Sequence, residues 1–567
     1  MKNWRLTLFI LLFFIAALVI IGRLFYLQVV NHKFYQAQAL GQQTGFTEVF
    51  GTRGEVFFKN SKDNHGAFGI ADAKSLAINK DKWLLSAVPG NVKDKSAVAL
   101  LLSNAIGDSK ESILSRLEKP GSYVVIKKDL VESQIQAIKN TNIEGVTLEA
   151  VPSRYYPQKN TASQVVGFYG GALEGQYGIE GYYEDLLKGK RGIEERKKGL
   201  SIINSDQAAN LNGSDLYLTL DYNIQFQAES LLKEEKIKNN IASGQIIVIK
   251  PDSGRILAMA NFPSFDPNAY SKERDLAIFQ NSAIQKLFEP GSVFKPFTMA
   301  MVLQENKATP ATTFIDTGSV TIGPDTIRNF NHEVYGKRDL SGILEKSINT
   351  GAVFLSSLIS HQTFSDYLDV FGFNDKTGID LQGEVASQNE LLKHGSDFGF
   401  ATASFGQGVE MTPIQLVRAF CVFANGGKMP KPYIVEKIVH GQEEEITQPR
   451  ILTSVISPET VSEVTTMLIN VVEKGYGDGA RIPGYYLAGK TGTAQVPFEN
   501  KKGYYPDKTI QSFIGYGPAL KPQFLILVKL DDPKVPKSAL SAVPVFKKLA
   551  QYIINYWQIP PDYDVTR

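Results

Sequence analysis

The chain lacks the means for several chemistries. Cys421 is its one cysteine, so no internal disulfide can form. Its place in the apolar run Ala419-Phe420-Cys421-Val422-Phe423 reads as a small core residue, not a thiol nucleophile. The six histidines show no His-Glu-x-x-His or paired-cysteine spacing, and neither a metal nor another cofactor is expected. An excess of one charge is also missing. With 60 basic side chains against 58 acidic ones, composition offers nothing to hold a nucleic acid. No low-complexity tract and no solenoid repeat is present. Hydrophobic content of 43% with 21% charged residues excludes a disordered or fibrous chain. A length of 567 residues implies more than one domain.

What is present begins with one long apolar run. Residues 6–21 are apolar except for Thr7, and after Arg23 the pattern resumes as Leu24-Phe25-Tyr26-Leu27. This length, carried past an arginine that can snorkel, fits one membrane-spanning helix of roughly 20 residues. Arg23, Phe25 and Tyr26 stand where a signal peptide would need small residues for cleavage, so an uncleaved anchor is expected. Lys2 and Arg5 precede it, which puts the N-terminus in the cytoplasm and the rest of the chain outside. The expected division is a cytoplasmic tail (1–5), an anchor (6–27), a mixed region without a nucleophile–base pair (28–215) and a larger domain (216–560).

Within the mixed region, residues 97–106, 111–117 and 128–140 read as helices and 146–151 as a strand. A linker-like stretch at 204–213 leads to a strand at 216–220, after which Asp221 can cap a helix over 222–233. Residues 245–250 and 255–260 flank the turn Pro251-Asp252-Ser253-Gly254 and predict a hairpin of half-buried strands. Further strands are expected at 485–495, 509–516 and 524–530, then a helix at 543–557. Residues 292–468 read as mostly helical. Strands at both ends with helices between them predict an α+β domain, an antiparallel sheet covered by helices.

The sharpest local feature is Glu289-Pro290-Gly291-Ser292-Val293-Phe294-Lys295-Pro296. Proline and glycine disfavour helix before Ser292, and an apolar run follows it. Ser292 therefore opens a helix, where free N–H groups and the dipole favour a developing anion. Lys295 shares its face three residues on. Burial and nearby positive charge can lower a lysine's pKa until it takes a serine's proton. A second copy, Ser230-Leu231-Leu232-Lys233, reads as the solvated face of an amphipathic helix.

Ser292 gains weight from its company: Ser347-Ile348-Asn349 and Lys490-Thr491-Gly492-Thr493 follow in order. Two decoys, Ser387-Gln388-Asn389 and Lys376-Thr377-Gly378, have the same spacing. Lys376 lies in a turn-rich stretch that reads as surface loop. Lys490 lies in the strand-like 485–495, whose glycines let a ligand approach the backbone. Residues 484–491 also fit the phosphate-loop pattern Gly-x4-Gly-Lys-Thr. However, Gly492, Thr493 and Val496-Pro497 are poor material for the helix such a loop must open, and the exported topology removes the nucleotide.

Ser-x-x-Lys, Ser-x-Asn and Lys-Thr-Gly in this order match the signature of penicillin-binding proteins and class A β-lactamases, with Ile348 where the middle box has Asp. Arg53-Gly54, Arg154-Tyr155-Tyr156-Pro157, Gly178-Ile179-Glu180-Gly181, Pro263-Ser264-Phe265-Asp266-Pro267-Asn268 and Gly406-Gln407-Gly408 extend the match. From the anchor to the C-terminus the chain resembles a class B penicillin-binding protein, a peptidoglycan D,D-transpeptidase of the FtsI or elongation-type branch. The Glu-Pro-Gly-Ser context leans toward division.

The resemblance implies a transmembrane helix, an elongated mixed pedestal of the dimerisation type and a penicillin-binding transpeptidase domain. It implies that Ser292 attacks a stem peptide ending D-Ala-D-Ala, that Lys295 is the general base and that Ser347 relays the proton to the leaving amine. Asn349 would hold the substrate amide, and Lys490, Thr491, Gly492 and Thr493 would form the carboxylate-binding strand. The backbone N–H groups of Ser292 and Thr493 would make the oxyanion hole, and β-lactams would acylate Ser292. No glycosyltransferase-like domain precedes the catalytic one. Glycan polymerisation is therefore expected from a membrane glycosyltransferase of the FtsW/RodA type, alongside other divisome or elongasome proteins. One departure stands out: Phe58 occupies a pedestal position where the family usually has Asp, which bears on the partner met there. A carboxypeptidase or β-lactamase shares the three boxes, but the anchor and long pedestal favour the transferase.

Overall fold

A computed structural model describes residues 4–26, 46–59, 73–197, 200–201, 211–498 and 503–564, apart from 120, 122, 140, 142, 172, 390, 391, 393 and 394. The chain forms two compact units: residues 1–54, 185–215 and 439–444, and residues 55–184, 216–438 and 445–567. In the first, Trp4–Phe25 is a 22-residue helix, and strand Phe46–Phe50 pairs antiparallel with Arg191–Lys197. Among the described residues no helix is long and apolar enough to cross a membrane. The helix Trp4–Phe25 is given by its backbone, and part of its side chains lies outside the described residues. Most of the predicted linker, residues 204–210, also lies outside them.

The second unit opens with a small α/β layer. Strand β1 (Ser75–Ala87) pairs antiparallel with β2 (Val124–Lys127) and β3 (Val146–Tyr155). Helices α1 (Lys95–Ile106), α2 (Lys110–Leu117) and α3 (Glu132–Lys139) cover it. Asp94 and Ser109 cap α1 and α2 by accepting from the N–H groups of Ala97 and Ser112, as short polar side chains do at helix starts. Leu85, Leu102, Ile113 and Ile126 are fully buried in its core. Helix α3 starts later than the predicted residue 128 because Asp129 is left-handed (φ 54°), a conformation no α-helix accommodates. Strand β3 runs past the predicted end at 151 to Tyr155.

The residues of the resemblance converge here as structure. Arg154 Nε donates to Glu180 Oε1 (2.7 Å), and so does Tyr156 Oη (3.1 Å). Asn268 exchanges two hydrogen bonds with the Tyr156 backbone. Phe58 is fully buried, edge-on to Tyr222 at 5.4 Å. An apolar ring therefore replaces the expected carboxylate inside the protein, and its own side chain is out of reach of a partner.

The larger layer system follows α4 (Tyr222–Asn239), whose N-terminus Asp221 caps through the N–H groups of Asn223 and Ile224. Its sheet is built from the hairpin β4 (Ser243–Ile249) and β5 (Ile256–Phe262) and from three strands near the C-terminus. Between them in the chain lie α5 (Lys295–Gln304), α6 (Leu340–Glu345), α7 (Asn349–Ser356), α8 (Pro413–Ala424) and α9 (Pro458–Glu473). The later strands are β6 (Ala488–Pro497), β7 (Tyr504–Gly517) and β8 (Phe524–Asp531), followed by α10 (Ala542–Trp557). The order is β5-β4-β8-β7-β6, antiparallel throughout, as the sequence predicts.

The hairpin is not half-buried, however. Ile246 to Ile249 and Ile256 to Ala260 are buried on both faces. On one face Ile246, Val248, Ala258 and Ala260 pack with Leu231, Phe546 and Ile553 of α4 and α10, and α8 covers the other. A continuous Ile-Ile-Val-Ile run, with no polar alternation, is what a doubly covered strand requires. Nor is 292–468 mostly helical as expected: strands and loops make up more of it than helices do. Strand Thr313–Asp316 pairs with Gly336–Asp339, and Ser319–Ile322 with Asp325–Arg328. These four-residue, largely exposed strands carry no apolar run long enough to signal themselves. Cys421 is buried in α8, and burial pushes its thiol pKa up, as expected for a core residue.

Candidate active site

Three segments far apart in sequence meet along the free edge of β6. Gly291–Phe294 forms a single 3₁₀ turn that runs directly into α5, and the Lys295 N–H donates to the Ser292 carbonyl. In a 3₁₀ turn residues i and i+3 eclipse, so Ser292 and Lys295 project from one side. Pro296, at the first turn of α5, costs no hydrogen bond there. The platform below is aromatic: Phe297 meets Phe371, Phe373, Phe420 and Phe423 at centroid distances of 5.1–5.8 Å. Such contacts fix the helix in place. Thr298 Oγ1 adds a buried bond to Ser404 O (2.7 Å).

Two glycines let β6 and the 406–408 loop approach this turn closely. A Cβ on Gly492 would lie 2.4 Å from Ser512 Oγ and 2.9 Å from Val293 Cγ1. Gly406, at φ 82°, packs so tightly on the nucleophile turn that a Cβ would meet the Gly291 carbonyl oxygen at 2.2 Å. Glu289 has a structural role that its place in the motif does not announce. Its buried carboxylate accepts from Gly408 N (2.9 Å) and Tyr504 Oη (3.3 Å) and ties the 406–408 loop to the same turn. Burial pushes its pKa up.

Ser347 and Asn349 arrive between α6 and α7. Ser347 is left-handed (φ 53°), at a cost of about 1 kcal/mol for a residue with a Cβ. The Ile348 N–H bond to Ile343 O (2.9 Å) closes the turn. Ile348, the departure from the signature, is fully buried, so its side chain is part of the core. The geometry centres on two lysines with no solvent exposure. Lys295 Nζ lies 2.5 Å from Ser347 O, 2.8 Å from Asn349 Oδ1 and 3.3 Å from Ser347 Oγ. Lys490 Nζ donates to Ser347 Oγ (3.0 Å), Thr491 O (3.0 Å) and Thr491 Oγ1 (3.3 Å). Ser347 Oγ thus bridges the two amines, while Ser292, Ser347, Asn349 and Thr493 are half-buried above them.

Burial and, behind it, the Lys490 charge hold Lys295 well below the usual lysine range. Burial alone lowers Lys490 to about 7. Two ammonium groups buried side by side repel each other, and Lys295, held well below its usual range, is the amine that gives up its proton first. A neutral Lys295 keeps two N–H bonds for its nearest acceptors and a lone pair for a hydroxyl. Among the described residues no hydrogen bond joins Ser292 Oγ to Lys295, so the expected direct pair is not closed. Such contacts tighten when substrate binds.

The decoys stay apart from this cluster. Thr377 is buried and capped by Glu384, and Asn389 bonds Glu410 N and Asn374. Ser230 and Lys233 lie inside α4. Lys490 and Thr491 lie within a strand, not at the helix start that a phosphate loop needs.

Residues 244–551 match the penicillin binding protein transpeptidase domain, and residues 69–218 match the penicillin-binding protein dimerisation domain. Stage V sporulation protein D of Bacillus subtilis (strain 168) is 30% identical over 540 residues, which cover 93% of this chain and 81% of that protein. The peptidoglycan D,D-transpeptidase FtsI homolog of Mesostigma viride is 29% identical over 592 residues, 98% and 96% of the two chains. Penicillin binding protein 3 from Mycobacterium tuberculosis, complexed with aztreonam, matches with a TM-score of 0.70 at 24% identity, over 92% of this chain and 99% of that one. Penicillin binding protein 2X from Streptococcus thermophilus matches at 0.73 and 21%, over 91% and 81%. At these identities the structural likeness is one of fold.

Proposed function

We propose a serine acyl-transfer mechanism for this chain, which belongs to the class B penicillin-binding proteins and is a penicillin-binding transpeptidase. The observation that carries the mechanism is the pair of buried amines joined through Ser347 Oγ, with Ser292 on the turn beside them. A stem peptide ending D-Ala-D-Ala lies along β6, its terminal carboxylate drawn to Lys490, Thr491 and Thr493. Neutral Lys295 accepts the Ser292 proton as Oγ attacks the penultimate D-Ala carbonyl, and the backbone N–H groups of Ser292 and Thr493 receive the oxyanion. Each such donor is typically worth about 3 kcal/mol. The proton passes through Ser347 to the departing D-Ala amine, the acyl-enzyme remains on Ser292, and an amine of a neighbouring stem peptide then takes the acyl group. Penicillins present a carboxylate and a strained amide to the same groups and stop at the acyl-enzyme.

The apolar run and the helical backbone of Trp4–Phe25 support a single-pass anchor with the catalytic unit outside the cytoplasmic membrane. A membrane glycosyltransferase of the FtsW/RodA type supplies the glycan strands in this reading. The Glu289-Pro290-Gly291-Ser292 context supports a role in division.

Mass spectrometry of the penicillin-treated protein tests the mechanism: one adduct is expected, on the peptide containing Ser292. Incubation with a D-Ala-D-Ala stem peptide, with and without an acceptor amine, should give cross-linked product only with the acceptor. Hydrolysed tetrapeptide unaffected by acceptor would make the chain a carboxypeptidase instead.

A pH profile follows from the two lysines. As pH falls, protonation of Lys295 removes the base. As pH rises through about 7, Lys490 loses the charge that attracts the carboxylate. Acylation efficiency at low penicillin should be bell-shaped, with its descending limb near that value. At saturating penicillin the bound carboxylate holds Lys490 protonated, so that limb moves to higher pH. A profile at low penicillin that stays flat between about pH 6 and pH 9 would remove the Lys490 assignment.

A further inference from the structure

The start of α7 depends on two side chains that no motif contains. Asn329, 4% exposed, follows the strand Asp325–Arg328. Its Oδ1 accepts from the backbone N–H groups of Asn349 (3.0 Å) and Thr350 (3.1 Å). Ile348, at the cap position itself, supplies no side-chain acceptor, so Asn329 satisfies the free N–H groups of α7 from elsewhere in the chain. Asn329 Nδ2 donates to both oxygens of Asp316 at 2.9 Å and to Glu333 O at 3.1 Å.

Asp316, 2% exposed, also accepts from Gly318 N (2.9 Å), Tyr335 N (2.7 Å) and Thr350 Oγ1 (2.6 Å). Burial would raise its pKa, but these donors outweigh it and leave the pKa lowered. A carboxylate on one side and two N–H groups on the other permit only one orientation of the Asn329 amide. The neighbouring Arg328 carbonyl accepts from Asn349 Nδ2 (2.9 Å), which turns Asn349 Oδ1 toward Lys295. The same stretch of chain reaches α6: strand Gly336–Asp339 pairs with the strand that ends at Asp316, and Asp339 caps α6 through Gly342 N (2.9 Å). Both helices flanking the left-handed Ser347 are therefore held from one segment, residues 313–339.

We propose that Asp316 and Asn329 are a positioning pair that holds the Ser347-Ile348-Asn349 turn against Lys295 and so sets the rate of acylation, with a much smaller effect on the affinity for the acyl donor. The inference rests on the acyl-transfer reading above. Among the described residues the three hydrogen bonds of Lys295 Nζ all go to Ser347 and Asn349, so any displacement of the start of α7 disturbs the base directly. A misplacement of about 1 Å at a reacting group costs on the order of 100-fold.

The test is single-turnover acylation of the full-length chain, in detergent, by a fluorescent penicillin over a range of concentrations. Asn329→Ala is expected to lower the saturating rate roughly 30-fold while the half-saturating concentration stays within about threefold of wild type. Asn329→Asp puts a second carboxylate against Asp316 and should fall at least as far. The exchange Asp316→Asn with Asn329→Asp restores one amide facing one carboxylate and keeps an acceptor toward α7, but it leaves the Tyr335 N–H and the Glu333 carbonyl without their partners, so it should recover only part of the rate that Asn329→Asp loses. Should Asn329→Ala fail to fold, Thr350→Val, which removes one donor from Asp316, should still fold and lose about threefold in the same rate. The proposal is overturned if these variants acylate within twofold of wild type, if the loss lies in the half-saturating concentration, or if the exchange gains nothing over Asn329→Asp. If the wild-type chain is not labelled on Ser292, the acyl-transfer reading fails first and takes this proposal with it.

Discussion

Ser292→Ala is expected to lower penicillin acylation by on the order of 10⁵-fold or more, with melting within a few degrees of wild type. The two halves of that expectation have separate causes. The rate collapses because the hydroxyl is the atom that forms the bond, and no neighbouring group replaces it. The fold persists because the 3₁₀ turn is held by backbone contacts and by Val293 and Phe294, both fully buried. The Lys295 contacts to Ser347 and Asn349 do not pass through Ser292 Oγ, so its loss strands no buried partner. Labelling with a fluorescent penicillin and intact-mass measurement read the first half, and thermal melting reads the second. One rival makes the experiment sharp: Ser347, not Ser292, is the hydroxyl within 3.3 Å of both lysines. An adduct persisting in folded Ser292→Ala and mapping to Ser347 would reverse the assignment of nucleophile and relay.

What the sequence made legible is chemistry written in short, local strings. Ser292 and Lys295 needed only a spacing and a Pro-Gly interruption before them. Lys490 needed only a strand-like context, because β-branched and aromatic neighbours with glycines point to an edge strand that admits a ligand. Asp221 and its helix were readable for the same reason: the cap and its N–H partners are two and three residues apart. Long-range pairings were out of reach. Nothing near Ser347 in the chain announces a left-handed backbone, and Asn329 reaches α7 from 20 residues upstream. The strands around it are four residues long and mostly exposed, so tertiary contacts and not propensity created them. The hairpin Ser243–Ile249 with Ile256–Phe262 departs from the expected half-buried strands for the opposite reason. Its unbroken apolar run is itself the signal of burial on both faces, where a sheet with one wet face would alternate.

Lys295→Met should lower the saturating acylation rate by about 10⁴-fold, the upper range for removing a general base, and the acid limb of the pH profile should vanish from the activity that remains. Methionine matches the length of the stem and is content where burial is complete, so the desolvation that depresses this amine no longer weighs on the fold. Against that gain, Ser347 O and Asn349 Oδ1 lose a donor each, at about 1–3 kcal/mol apiece if left unsatisfied. Lys490 still holds Ser347 Oγ, and the hairpin hydrogen bonds to Asn349 remain, so a modest change in melting temperature is expected and the rate loss cannot be a folding loss. Lys295→Arg separates two meanings of the same deletion. A guanidinium keeps a positive charge and hydrogen bonds but does not give up its proton in this pH range. If the charge alone mattered, arginine would retain most of the rate; if a lone pair is required, arginine is as inactive as methionine. Acylation by Lys295→Arg within tenfold of wild type would therefore move the base to another group, and Lys490, whose own pKa lies at about 7, would be the first to examine.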